Sequence, residues 1–191
     1  MARLNSTLCV HSSKGSYAAP SLTPIVSHVF DAAEAMYGPS DPSYCFCGLT
    51  FTCERGQMIT DHRNRRTWIG VPTSYLSHQK ALGALLAHEC VHVLSPTQHL
   101  VSNLEEGAAV HFSAFYTLQY LGIVFPERYA PYQAAARATR KLFGIDPAIL
   151  KKLRKYQITI SEITTDMILN ACPECPVELA EFLTSQFPNM D

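Results

Sequence analysis

The stretch HQKALGALLAHECVHVL, residues 78–94, decides how this chain is read. Leu82, Leu85 and Leu86 recur at helical spacing, Ser77 stands before them as a cap and Pro96 after them as a stop. A helix is therefore predicted across the whole stretch. Inside it lies His88-Glu89-Cys90-Val91-His92, a literal HExxH. Residues four apart share a helix face, so both imidazoles can point at one ion. Glu89 projects beside that face and can reach a water on the metal. Zinc lowers the pKa of such a water to about 7, and a nearby carboxylate can take its proton as it attacks a carbonyl. With eight histidines and ten glutamates in 191 residues, chance supplies the pattern only about 0.02 times. Cys90 lies two positions from either histidine, about 200° around the helix, and faces away.

Two histidines do not complete a catalytic zinc site; a third protein ligand is required. A histidine from an extended HExxHxxGxxH pattern fits poorly. Ser95 stands where the glycine belongs, Gln98 stands where the histidine belongs, His99 comes one residue late, and Pro96 interrupts the helix. His111 is a more distant candidate. The stretch Leu104-Glu105-Glu106-Gly107-Ala108-Ala109 offers two carboxylates, 13 and 14 positions beyond His92, enough for a turn between antiparallel helices. Ser102 and Glu105 have capping-box spacing, which would occupy Glu105 with the backbone N–H of Ser102. That leaves Glu106 as the preferred ligand and Glu105 as its competitor.

At this point the sequence resembles the zincin metallopeptidases of the gluzincin type, which combine HExxH with a downstream glutamate in an N-E-G-x-A-like or N-E-A-like setting. EEGAAVHF, residues 105–112, aligns with that setting when Glu106 takes the ligand place, because Gly107 and Ala109 then fall where small residues are expected. A small residue beside the ligand would let the second helix approach the first closely. The resemblance covers residues 67–121 and implies zinc held by His88, His92 and Glu106, with Glu89 as general base. It also implies that residues 67–71 form the strand along the cleft edge, where substrate backbone would add antiparallel near residues 68–71. In one respect the chain departs from the family. The position four after the ligand glutamate, where an acid often orients a ligand histidine, is Val110, so a second partner must come from elsewhere. Oxyanion donors in such sites are tyrosines or histidines, and His99, His111, Tyr116, Tyr120, Tyr129 and Tyr132 are the candidates.

Around this core the chain reads as a small sheet followed by helices, an α+β arrangement in one domain of 191 residues. Thr23-Pro24 opens a helix that ends at Gly38, with Ile25, Val29, Ala32, Ala33 and Met36 on its inner face. Residues 44–53, 57–60 and 67–71 are predicted strands, the last two joined by the polar turn DHRNRR. A second long helix runs from Ser102 to about Leu121, before Gly122, and a third covers residues 130–143 up to Gly144. Asp146-Pro147 opens a short basic helix whose Lys151, Lys152, Arg154 and Lys155 read as a solvated face or a docking patch for an acidic partner. Thr159 and Glu162 have capping-box spacing, and a last helix follows Pro176. Residues 1–20 read as a polar leader, poorly ordered at its end.

Composition narrows the function classes. Apolar residues make up 47% and charged residues 16%, which excludes disorder, and fifteen basic against sixteen acidic residues leave no surplus to neutralise phosphates. A nucleic-acid module is therefore disfavoured. Residues 107–125 carry no charge, but His111, Ser113, Thr117 and Gln119 lie within them, so the stretch reads as a buried helix and not a membrane span. No signal-peptide core precedes the domain, which gives the expectation of a cytoplasmic protein with reduced thiols. Cys45, Cys47 and Cys53 lie in one segment and Cys172 and Cys175 in a CPEC pair, so a four-thiolate zinc site is conceivable, although only one CxxC pair exists.

The function expected from the sequence is thus a zinc-dependent peptidase acting on peptides or proteins. The alternative is a non-catalytic metal-binding or interaction module that retains a zincin fold. A fourth ligand, such as His99 or a cysteine, would close the site and favour the alternative. A metal-free helical protein with a coincidental HExxH is the third reading.

Overall fold

The computed structural model describes residues 9–12, 15–18, 23–52, 55–124 and 129–188, and the architecture is α+β as expected. Cys53 and residues 1–8 of the leader lie outside the described residues. The strands are β1 (Cys9–Ser12), β2 (Gly15–Ala18), β3 (Cys45–Thr52), β4 (Gln57–Asp61) and β5 (Arg66–Pro72). The helices are α1 (Thr23–Tyr37), α2 (Gln79–Leu94), α3 (Asn103–Leu121), α4 (Ala130–Ile145), α5 (Ile149–Leu153), α6 (Thr165–Ala171) and α7 (Val177–Thr184). Strands β1 and β2 fall inside the segment read as a leader and form an antiparallel hairpin there.

The sheet runs in the order β2-β1-β3-β5-β4. Parallel pairing joins β1 to β3 and β3 to β5, while β4 runs antiparallel to β5. This order corrects the expected substrate edge. Residues 67–71 belong to β5, which has β3 on one side and β4 on the other, so its N–H and C=O groups are committed to neighbours. Among the described residues the edge strands are β2 and β4, and β4 is the one beside β5. The register of β3 against β5 shifts between Phe46 and Gly48, where Gly48 adopts φ +121°, the irregularity that glycine permits.

Helix α2 packs against β4 and β5 on one side and against α3 on the other, with α1 also in contact. It is therefore buried nearly all round from Leu82 to Leu94, beyond the single apolar face suggested by Leu82, Leu85 and Leu86. Helix α4 packs on the far side of α3. Gly107 belongs to that second contact: a Cβ there would lie 2.0 Å from Thr139 Oγ1 and 2.6 Å from the Ala135 carbonyl oxygen. Its small size thus admits α4, not α2 as the sequence suggested.

Several local expectations shift. His78, not Ser77, occupies the N-cap position of α2, because residues Thr73–Ser77 form a 3-10 turn of their own, and it makes no side-chain cap bond. Gly144 lies inside α4, which continues to Ile145. Thr159 makes no side-chain cap; Ile160–Glu162 is a single 3-10 turn, and Thr164 caps α6 instead. Gly38 and Gly122 terminate α1 and α3 with positive φ, as predicted.

Arg154 overturns the solvated-face reading of its basic run. Lys151, Lys152 and Lys155 are exposed, but Arg154 is 3% exposed. Its Nε donates to Ile158 O, and its two terminal nitrogens donate to the carbonyl oxygens of Tyr37, Gly38, Pro39 and Leu94 at 2.8–3.0 Å. All five guanidinium N–H groups are thereby used, tying the ends of α1 and α2 together. Among the described residues no helix is long and apolar enough to cross a membrane. Of the uncharged run, residues 107–121 lie in α3; its first half is buried between α2 and α4, but Phe115, Leu118 and Tyr120 are exposed. The buried-helix expectation therefore holds only for the first half, and Phe125 lies outside the described residues.

Candidate metal centre

The helical phase of α2 brings His88 and His92 onto one face, and α3 crosses opposite with Glu106 in its first turn. Single ligand atoms from His88, His92 and Glu106 all lie within 4.8 Å of one another, and among the described residues no other group of three or more His, Cys, Asp or Glu could hold a metal. The two Nε2 atoms are 3.4 Å apart; Glu106 Oε2 lies 3.4 Å from His88 Nε2, and Oε1 lies 3.6 Å from His92 Nε2. Ligands 2.0–2.1 Å from a tetrahedral zinc are separated by about 3.3 Å, so the donor spacing suits such an ion. Glu106 Oε2 is buried with no hydrogen-bond partner. An orphaned carboxylate oxygen beside the His88 imidazole is a second, independent sign that the residues fit a cation.

Glu105 has a different role from the one its capping-box spacing suggested. The Ser102 hydroxyl does accept the Glu105 N–H at 3.2 Å, the first half of the box. The Glu105 carboxylate, however, does not return to Ser102. Its Oε1 lies 2.8 Å from His92 Nδ1, and its Oε2 accepts the Ser161 hydroxyl. Glu105 is thus the acid that orients the candidate ligand His92, supplied by the residue beside Glu106 instead of by position 110.

The electrostatics are those of a charged pair in a dry setting. Burial disfavours a charged His92, yet Glu106, Glu105 and Glu89 outweigh it and push the imidazole up to about 10. Burial pushes Glu106 upward, but His92 and His88 prevail and hold its carboxyl below the usual range. Glu89, 6% exposed, lines the same cleft as the three candidate ligands.

That cleft has a volume of about 370 Å³ and opens between the α2–α3 pair and the start of β4, where Gln57 and Met58 line it. Leu100, Val101 and Phe187 close its other side. Of the candidate oxyanion donors, Tyr132 lies in the cleft, its ring 5.9 Å from that of His88 and 4.8 Å from that of Phe187. His99 lines it as well, with Nε2 3.9 Å from Glu162 Oε1. His111 is turned away: its Nδ1 pairs with the Tyr37 hydroxyl at 2.9 Å and its ring packs on Phe143. Tyr116 bonds His28 at 2.9 Å and Tyr120 packs on the same imidazole, both outside the cleft, as is the exposed Tyr129. Cys172 and Cys175 are buried, Cys45 is exposed, and these thiols join no candidate metal group among the described residues.

Sequence reasoning did not find Ser161 or Phe187. Ser161 lies 56 positions from Glu105, and nothing local marks it. Phe187 reaches the cleft because its N–H bonds Val101 O at 2.8 Å. Models of known families, curated proteins and solved structures were all compared with this chain, and none matches it.

Proposed function

We propose that this protein is a zinc-dependent metallopeptidase, with His88, His92 and Glu106 as the metal ligands and Glu89 as the general base. The observation that carries the reading is the convergence of three donors within 4.8 Å on a cleft that is also lined by the Glu89 carboxylate. A zinc ion held there would supply Lewis acidity and bring the pKa of water to about 7. Glu89 takes the proton from the attacking water and returns it to the leaving amine. Tyr132 stands beside His88 as the donor for the developing oxyanion. Substrate backbone adds to the open edge of β4, beside the cleft, with its side chains in the apolar wall of Leu100, Val101 and Phe187.

An open site is favoured over a closed structural one because no fourth His, Cys, Asp or Glu among the described residues joins the group. A purely structural ion would also give Glu89 no task. The test is zinc stoichiometry by elemental analysis, followed by hydrolysis of a mixed peptide library. One zinc per chain and cleavage are expected in the wild type. Glu89→Gln should keep the zinc and lose cleavage, and Glu106→Gln should lose both. Wild-type protein without zinc after reconstitution would overturn the proposal; zinc without cleavage would leave the binding module.

A further inference from the structure

Three hydrogen bonds run in series from the backbone into the metal centre. The Ser102 N–H donates to Ser161 Oγ at 2.8 Å, the Ser161 hydroxyl donates to Glu105 Oε2, and Glu105 Oε1 meets His92 Nδ1 at 2.8 Å. Ser102, Glu105 and His92 are all buried, Glu105 completely. Each link has only one possible direction. A backbone amide can only donate, so Ser161 accepts there and has a single proton left to give. A carboxylate can only accept, so the proton between Glu105 and His92 belongs to Nδ1. The remaining nitrogen, Nε2, is the one facing His88 and Glu106.

We infer that Ser161 is a positioning residue for the metal centre: it takes over the Ser102 N–H that a capping box would assign to Glu105, and so frees that carboxylate to fix the orientation of His92 and hold a proton on its Nδ1. The residue beside the metal ligand can serve the ligand histidine only because a side chain from the C-terminal half satisfies the helix cap in its place. The 3-10 turn that carries Ser161 is itself pinned to the end of α2, where Ser95 Oγ accepts the Ile160 N–H at 3.4 Å. The arrangement therefore links α2, α3 and the segment before α6 at one histidine. The inference borrows from the metallopeptidase reading only the identity of the ion, and nothing in it requires turnover.

The experiment compares wild type, Ser161→Ala and Ser161→Thr by two measurements. The first is the imidazole nitrogen and Nδ1–H resonances of His92 in metal-free, isotope-labelled protein; the second is zinc affinity by chelator competition. Ser161→Ala should speed exchange of the His92 Nδ1–H while leaving the His88 resonances in place. It should also weaken zinc by about tenfold, the scale of an outer-shell loss. Ser161→Thr, which keeps the hydroxyl, should restore both. An alanine variant with wild-type exchange and wild-type affinity would overturn the inference. So would losses that the threonine variant shares, since those would reflect packing alone. If wild-type protein binds no zinc, the peptidase proposal fails, and the His92 exchange in metal-free protein still decides the role of Ser161.

Discussion

Glu105 Oε1 lies 2.8 Å from His92 Nδ1, while the next residue, Glu106, faces the opposite nitrogen of the same ring at 3.6 Å. Two consecutive carboxylates thus hold one imidazole from both sides. Adjacent residues on a helix diverge by about 100°, so this requires α3 to cross α2 with its first turn straddling His92. The two acids should separate experimentally. Glu106→Gln removes a proposed ligand and is expected to abolish stoichiometric zinc, whereas Glu105→Gln should retain it with affinity reduced about 10–100-fold. Equal losses in chelator competition would contradict the division of roles.

The charge on His92 predicts how the metal-free protein responds to pH. Its ordinary value of 6.5 is pushed up to about 10 in the folded state by the three carboxylates around it. A raised folded value means stability that is complete below the ordinary value and lost as pH rises through the higher one. In chelator, the urea midpoint should therefore fall from about pH 6.5 to about pH 10. Burial also pushes up the Cys90 thiol and the Tyr37 hydroxyl, which steepens the alkaline end. The decisive quantity is the difference from His92→Gln, in which most of the decline between pH 6.5 and 9 should vanish. A variant with an unchanged slope would show that the imidazolium is not formed.

Arg154 predicts a large, specific stability effect. Its replacement by alanine removes a donor from five carbonyl oxygens, four of them at the ends of α1 and α2 or just beyond α1, and of these Leu94 O keeps the Asp41 N–H. A loss of at least about 3 kcal/mol is expected from urea unfolding. Arg154→Lys should recover little, because one ammonium cannot reproduce the planar fork. Lys155→Ala, on the exposed side of the same segment, should change stability by less than about 0.5 kcal/mol.

Gly107→Ala tests the packing behind the candidate ligand. The new methyl group would meet Thr139 Oγ1 at 2.0 Å and backbone oxygen at 2.6 Å, so α4 must move. A cost of about 1–3 kcal/mol is expected. Because Gly107 adjoins Glu106, zinc affinity should fall together with the melting temperature. Gly144→Ala, where nothing lies within 4 Å, is the matched control and should be neutral or stabilising.

What the chain alone determined is what short-range geometry determines. HExxH on a helix places both imidazoles on one face whatever the rest of the molecule does, because four residues make about one turn. The strands of residues 45–72, the glycine stops at Gly38 and Gly122 and the helical second half follow in the same way from local pattern and turn chemistry. Two signals single out Glu106, the small residues Gly107 and Ala109 after it and the capping spacing of Glu105, and the second is half right: the Ser102 cap exists, but the Glu105 side chain is occupied by His92 and Ser161.

Only the tertiary structure could decide which strand lies at the edge, since β4 and β5 have similar sequence character and their order depends on the parallel pairing of β3 with β5. Only it could separate Arg154 from three neighbouring lysines, because its partners come from two helices far back in the chain. The support that Ser161 gives to Glu105, and through it to His92, is of the same kind. A hydrogen bond made across 56 residues has no local signature, and the directions of donor and acceptor that fix an imidazole exist only once α2, α3 and the Ser161 turn have packed together.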